Sequence, residues 1–305
     1  MSLTDRRLAE SLRHMVVGRR REIEVVAAAL AAGRHVLLEG PPGTGKSTLL
    51  RAIATAAGVG FEFVEGNAEL TPARLVGHHD PSRVMAEGYS DAIFVDGPLA
   101  VAMKAGSLLY IEEINRVPEE TLNLLITVMS EGELHVPRLG RLVASEGFRM
   151  VAAMNPFDAV GTARISSAIY DRTCRILMGY QGADEEVEIV ARAVGDADPA
   201  WVRRVVEVVR ATRTHPDIRI GSSVRGAVDT VLVAGSLATL RGTGPDDAEV
   251  GLDAALAALS GRVRLHEGSA RTSEEVITEL WNRVFGAGAE AGGGGGEGKA
   301  GPPTG

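Results

Sequence analysis

An apolar run, Val36, Leu37 and Leu38, leads into Gly-Pro-Pro-Gly-Thr-Gly-Lys-Ser at positions 40–47, and a helix-forming segment follows. No other feature restricts the fold of this chain as tightly. Glycines at 40, 43 and 45 let the backbone turn so that several N–H groups face one point, and the helix that starts there adds its positive end. The result is a cradle for phosphate, and it requires a buried strand before it and a helix after it. Within the cradle, Pro42, Gly43, Thr44, Gly45, Lys46, Ser47 and Thr48 are the nucleotide-contacting positions. Lys46 is the residue that reaches the β- and γ-phosphates, and the Ser47 hydroxyl is a ligand for Mg²⁺.

The alternation of strand and helix recurs downstream. Apolar runs at 61–64, 108–111, 150–154 and 175–178 predict four more strands. A helix over 118–131 carries Leu122, Leu125, Ile126 and Met129 on one face, with Pro118 near its first turn. Residues 133–147 suggest a hairpin turning at Gly140. This pattern predicts an α/β fold with a parallel sheet over 1–182, preceded by helical residues 4–32 that break at Gly18. Beyond 182 only helical segments remain, so 183–285 reads as a small all-α lid domain. Asp184, Asp198 and Thr272 with Glu275 stand at its expected helix starts. The last stretch, 286–305, is almost all Gly, Ala, Glu and Pro and has too little to bury, which predicts a disordered tail.

A phosphate cradle alone binds nucleotide; hydrolysis needs an acidic strand end beside it. Leu108 to Ile111 bury a strand, and Glu112 and Glu113 emerge at its C-terminal end, where open α/β sheets hold their ligands. Glu112 is placed to hold Mg²⁺ through water, and Glu113 to polarise an attacking water.

The formal net charge is −8, which argues against nucleic acid as a general partner, because that needs a basic footprint. The single cysteine, Cys174, excludes an intrachain disulfide and reads as a buried structural thiol. The charged first residues lack an apolar signal region, and no apolar stretch is long enough to span a bilayer, so the expected location is cytoplasmic.

Taken in order and spacing, these pieces resemble the AAA+ superfamily of P-loop NTPases and, within it, the MoxR branch. The resemblance covers roughly residues 16–240. It rests on Val17 and Gly18 before the first helix, on 40–47, on Glu112, Glu113, Asn115 and Arg116, and on 129–132. It continues through Asn155-Pro156, Asp171-Arg172 and Gly221 to Arg225. The resemblance implies that Val17 and Gly18 flank the nucleotide and that Asn155 is a sensor for the attacking water. It implies that Arg172 is an arginine finger reaching a neighbouring subunit, with Arg164 and Arg116 as rivals, and that Arg225 is a second sensor on the lid. It also implies ATP and Mg²⁺ as cofactors, a hexameric homo-oligomeric ring, and a client protein that is remodelled or activated. A partner with a von Willebrand factor A domain is often involved. Segments 75–96 and 133–149 stand where the branch carries insertions. The chain departs from the pattern in having Glu112 where the family usually has Asp, and Thr173-Cys174 where Phe often follows the arginine. An ATP-switched adaptor with little turnover and a DNA-directed motor are the alternative readings.

Other conspicuous residues read as structural. Trp201 and Trp281 are expected to anchor helix packing, and Arg203, Arg204, Arg210 and Arg213 to form a solvated helix face.

Overall fold

A computed structural model describes residues 6–156 and 165–286. The tail beyond Gly286, and with it the expectation of disorder there, lies outside the described residues, as does Arg164. The chain forms two compact units, Met1–Gln181 and Gly182–Gly305.

The first unit begins with α1 (Arg6–Met15) and α2 (Arg20–Ala31), then β1 (His35–Glu39), α3 (Lys46–Ala57) and β2 (Phe61–Glu65). Next come α4 (Pro72–Val76), β3 (Gly77–His79), α5 (Pro81–Glu87), β4 (Phe94–Asp96), α6 (Pro98–Ala105) and β5 (Leu108–Glu112). It closes with α7 (Glu119–Glu131), β6 (Glu133–Val136), β7 (Gly140–Val143), β8 (Arg149–Met154), α8 (Ser167–Arg172) and β9 (Thr173–Leu177). The sheet order is β2-β5-β8-β1-β9, and every pairing is parallel.

Side chains alternate across the sheet, so each strand feeds two cores. Leu37, Leu109, Ile111, Met150 and Ala152 pack on one face with α6 and α7 residues. Val36, Leu38, Leu108, Tyr110, Val151 and Ala153 pack on the other with α2 and α3 residues. Burial on both faces explains why these strands are continuous apolar runs, each large side chain contributing about 1.5–3 kcal/mol. It also fixes the register, and the register places the polar strand ends side by side.

The segment 75–96 is held by the antiparallel pair β3–β4, and 133–143 by the hairpin β6–β7. The hairpin turns over Pro137 to Leu139, where Arg138 has φ 68°, and its guanidinium lies 3.7 Å from the centre of the Tyr89 ring. Pro118 is the N-cap of α7, one position before the first turn.

The second unit contains α9 (Ala183–Val194), α10 (Pro199–Ala211), β10 (Ile218–Ile220), α11 (Val224–Arg241), α12 (Ala248–Leu259), β11 (Arg264–Leu265) and α13 (Ser273–Gly286). Asp198 and Asp247 cap their helices through backbone N–H groups, and Thr272 and Glu275 form the reciprocal pair before α13. Asp184 lies inside the first turn of α9, and Gly182 is the N-cap. Two expectations are corrected here. The unit is not purely helical, since β10 and β11 pair antiparallel. Arg203 is exposed as expected, but the other three arginines of the expected solvated face are not free in solvent. Arg210 and Arg213 both bind the buried carboxylate of Glu186, at 2.9 and 2.8 Å, and Arg204 lies over the Phe285 ring. A buried acid on α9 makes that face an ion-paired seam. Trp281 is buried and stacks on Phe285 with ring centroids 4.0 Å apart.

Candidate active site

β1 delivers the chain into the cradle between two neighbours. The Gly40 N–H donates to the Met154 carbonyl of β8, and the Met178 N–H donates to the Glu39 carbonyl. A side chain at position 40 would put its Cβ 2.0 Å from the Met178 carbonyl oxygen, so only glycine fits. Gly43 and Gly45 take φ of 74° and 82°, the left-handed values that turn the loop. Thr44 is buried, and its hydroxyl donates to the Pro41 carbonyl. Pro42 and Thr48 are exposed at the rim. The ammonium of Lys46 lies over the mouth of the loop, donating to the Gly40 and Pro41 carbonyls at 2.9 Å each.

The hydroxyl of Ser47, in the first turn of α3, donates to Glu112 Oε1 at 2.9 Å and lies 3.2 Å from the Tyr110 hydroxyl. Tyr110 and Glu112 are two residues apart on β5 and so share a face. Burial pushes the Tyr110 phenol above its ordinary pKa; the Ser47 hydrogen bond opposes this and the Glu112 carboxylate adds to it. Tyr110 therefore stays a neutral hydroxyl. A hydroxyl and a carboxylate converging beside a phosphate cradle are hard oxygen donors of the kind Mg²⁺ takes when phosphates supply the rest. Among the described residues no cluster of three or more His, Cys, Asp or Glu forms an all-protein metal cage. The residues present fit Mg-nucleotide.

Glu113 follows β5 with φ 54° and ψ 45°, a strained conformation for a residue with a side chain. Its carboxylate pairs with Arg116 at 2.9 Å. Asn115 is buried, and its Oδ1 has no hydrogen-bond partner among the described residues. Asn155 directly follows β8, the strand between β1 and β5, so it stands between the cradle and the two glutamates.

Three contacts around the cradle were not foreseen from the sequence. Arg19, the N-cap of α2, is buried and donates to the Thr44 carbonyl. Val17 and Gly18 precede it, with Gly18 at φ 65°, and the Val17 carbonyl accepts from the Gln181 amide at 2.8 Å. Glu39, fully buried at the end of β1, accepts from the Tyr170 hydroxyl at 2.9 Å and from Arg175 Nε at 2.7 Å. Burial, and then Glu39, raise the Tyr170 pKa. Their partners lie 25 to 164 positions away in the chain, so no local pattern could have disclosed them.

Arg172 lies at the other end of the sheet. Thr173 pairs with His35 at the start of β1, whereas Glu39 pairs with Leu177. Four residues of strand, about 13 Å, separate Arg172's end from the cradle. Arg172 donates to the Ala168 carbonyl and to the Ser130 hydroxyl, and lies 3.8 Å from Asp171. With Gly33, Arg34, His35, Met129, Thr173 and Cys174 it lines a cavity of about 310 Å³. Cys174 is thus partly exposed in that cavity, not a buried structural thiol. Arg225 belongs to the second unit, exposed in the first turn of α11.

The AAA domain profile of the dynein-related subfamily matches residues 35–173, the span from β1 through the start of β9. That span is an AAA+ ATPase domain. The protein is an ATP-hydrolysing enzyme that uses ATP with Mg²⁺. Among curated proteins this AAA+ ATPase is 28% identical to the uncharacterised YeaC of Bacillus subtilis, over 76% of this chain and 78% of that protein. It is 30% identical to the gas vesicle ATPase GvpN1 of Halobacterium salinarum, over 63% of this chain and 60% of that protein. Its fold matches the solved structure of a proposed ATPase from Cytophaga hutchinsonii with TM-score 0.52 and 20% identity, covering 90% and 92% of the two chains. Thermotoga maritima RuvB, as a P216G mutant, matches with TM-score 0.52 and 20% identity over 78% of this chain and 69% of that one. No helix among the described residues is long and apolar enough to cross a membrane.

Proposed function

We propose that this AAA+ ATPase is a MoxR-like ring machine whose hydrolytic sites are shared between subunits and whose turnover remodels or activates a client protein. The observation that carries this reading is the separation of charges along the sheet. The cradle, Glu112, Glu113 and Asn155 gather at the C-terminal ends of the strands, while Arg172 stands at the N-terminal end beside the β9 edge. A finger placed there serves another subunit's nucleotide. Arg116, the rival, is engaged by Glu113 of its own chain.

In this reading Lys46 and the loop N–H groups hold the phosphates. Ser47 and Glu112 hold Mg²⁺, which neutralises charge on the β- and γ-phosphate oxygens. Glu113 polarises a water that Asn155 orients for in-line attack, and Arg172 of the neighbour stabilises the transferring phosphoryl group. Arg225 takes the second-sensor role that the resemblance to the MoxR branch implies. A hexameric ring, a von Willebrand factor A partner and a cytoplasmic location belong to the same reading and rest on the resemblance to the MoxR branch.

Two measurements test it. Activity per subunit should rise steeply with protein concentration and then level off. Lys46→Ala and Arg172→Ala, each inactive alone, should regain activity when mixed, because some interfaces then pair an intact cradle with an intact finger. A mixture that assembles but stays inactive would sink the shared site.

A further inference from the structure

Arg19 is an unusual residue for its position. Helix N-caps favour Ser, Thr, Asp or Asn, whose short side chains accept from the first-turn N–H groups. Arg19 accepts nothing with its side chain and occupies the left-handed region, φ 60° and ψ 21°, directly after the left-handed Gly18. The left-handed region is sterically unfavourable for the non-glycine one, whose Cβ crowds the following carbonyl oxygen. The guanidinium is also buried, which is costly unless its donors are used.

Nε has no hydrogen-bond partner among the described residues, and the contacts of the two terminal nitrogens show what offsets these costs. Nη2 donates to the Thr44 carbonyl at 3.0 Å and to the Gly179 carbonyl at 2.6 Å. Nη1 donates to Glu22 at 3.1 Å, which places a countercharge at the third position of α2. One planar group thus joins the turn before α2, the middle of the cradle and the segment after β9. The Gln181 amide on the Val17 carbonyl ties the same turn to the same segment a second time.

The Thr44 carbonyl shares its peptide unit with the Gly45 N–H. In a phosphate cradle the inward N–H groups hold the ligand while their carbonyls face outward. A charged donor on the outward carbonyl fixes the plane of the peptide and polarises it, so the N–H on the far side becomes a stronger, pre-aimed donor. We propose that Arg19 is a positioning residue for nucleotide, orienting the Thr44–Gly45 peptide so that its N–H meets the phosphates, with Glu22 holding the guanidinium in place.

The test is ADP binding and ATP turnover in Arg19→Ala, Arg19→Lys and Glu22→Gln, with thermal unfolding recorded in parallel. In Arg19→Ala the Kd for a fluorescent ADP and the KM for ATP should rise together by about tenfold or more, while kcat falls by less. Arg19→Lys keeps the charge but cannot bridge two carbonyls with a planar fork, so it should fall between that variant and the wild type. Glu22→Gln should show a smaller rise of the same kind. If Arg19→Ala does not fold, the other two variants decide. An unfolding temperature that drops while the folded fraction binds ADP within twofold of wild type would reduce Arg19 to a structural brace and overturn the proposal.

Discussion

The two ends of the parallel sheet differ in chemistry although the same strands build both. At the C-terminal end, carboxylates, hydroxyls and turned peptide groups converge within hydrogen-bond distance, as at Ser47 and Glu112. Two of the three described non-glycine residues with positive φ, Arg19 and Glu113, stand at this end. At the N-terminal end stand Arg34, His35, Arg149 and Arg172, with an exposed acid, Asp171, beside Arg172, and burial keeps His35 neutral, with a pKa lowered to about 4. One end is built to receive an anion with its metal, and the other to present positive charge outward. In the proposed ring the reaction is divided between the two ends of the sheet, and neither end suffices within one subunit.

The strongest way to break this contrast is to remove the outward charge. Arg172→Ala is expected to lower ATP turnover by about 10³–10⁵-fold while leaving ADP affinity within a few-fold of wild type. Equal losses in affinity and turnover would place Arg172 at its own chain's cradle. At the other end, Glu113→Gln should lower turnover by about 10²–10⁴-fold and preserve nucleotide binding; normal hydrolysis in this variant would remove Glu113 from its role.

The third test compares stability. His35 is displaced from 6.5 mainly by burial and next by Arg149, with Arg34 adding and a hydrogen bond to the Met129 backbone opposing. As the pH falls from about 6.5 toward 4, the unfolded chain gains a proton that the folded chain refuses. Stability present above 6.5 should therefore decline by up to about 3 kcal/mol across that window and change little below it. Nδ1 accepts from the Met150 N–H, so His35→Asn, which keeps an acceptor without the titration, should flatten this part of the urea midpoint against pH. An unchanged slope would assign the acid sensitivity elsewhere. The smallest effect is expected at Glu39→Gln, which keeps an acceptor for Tyr170 and loses the charge facing the half-exposed Arg175. Denaturant unfolding should report a loss of about 1 kcal/mol.

The sequence disclosed what is contiguous. The cradle, the β5 acids and Asn155 are each a strand and its next few residues, so strand register alone brings them together. It did not disclose what depends on distant partners. Arg19 is one of three consecutive arginines, and nothing in that run sets it apart until Thr44 and Gly179 are in place. Arg210 and Arg213 mislead for the same reason, because the acid that pairs them sits on another helix. β10 and β11 are three and two residues long, too short for any alternation to register.

The position of β1 in the middle of the sheet has a consequence for biosynthesis. Its hydrogen-bonding neighbours are β8 and β9, both more than a hundred residues further along the chain. When β1 leaves the ribosome, neither strand exists, and its apolar residues have no sheet to join. At translation rates of about 5–20 residues per second, Val36, Leu37 and Leu38 wait roughly ten seconds before β9 is made. The nucleotide cradle is thus encoded early and assembled late, and during that interval the nascent chain carries an apolar strand that has no sheet to join.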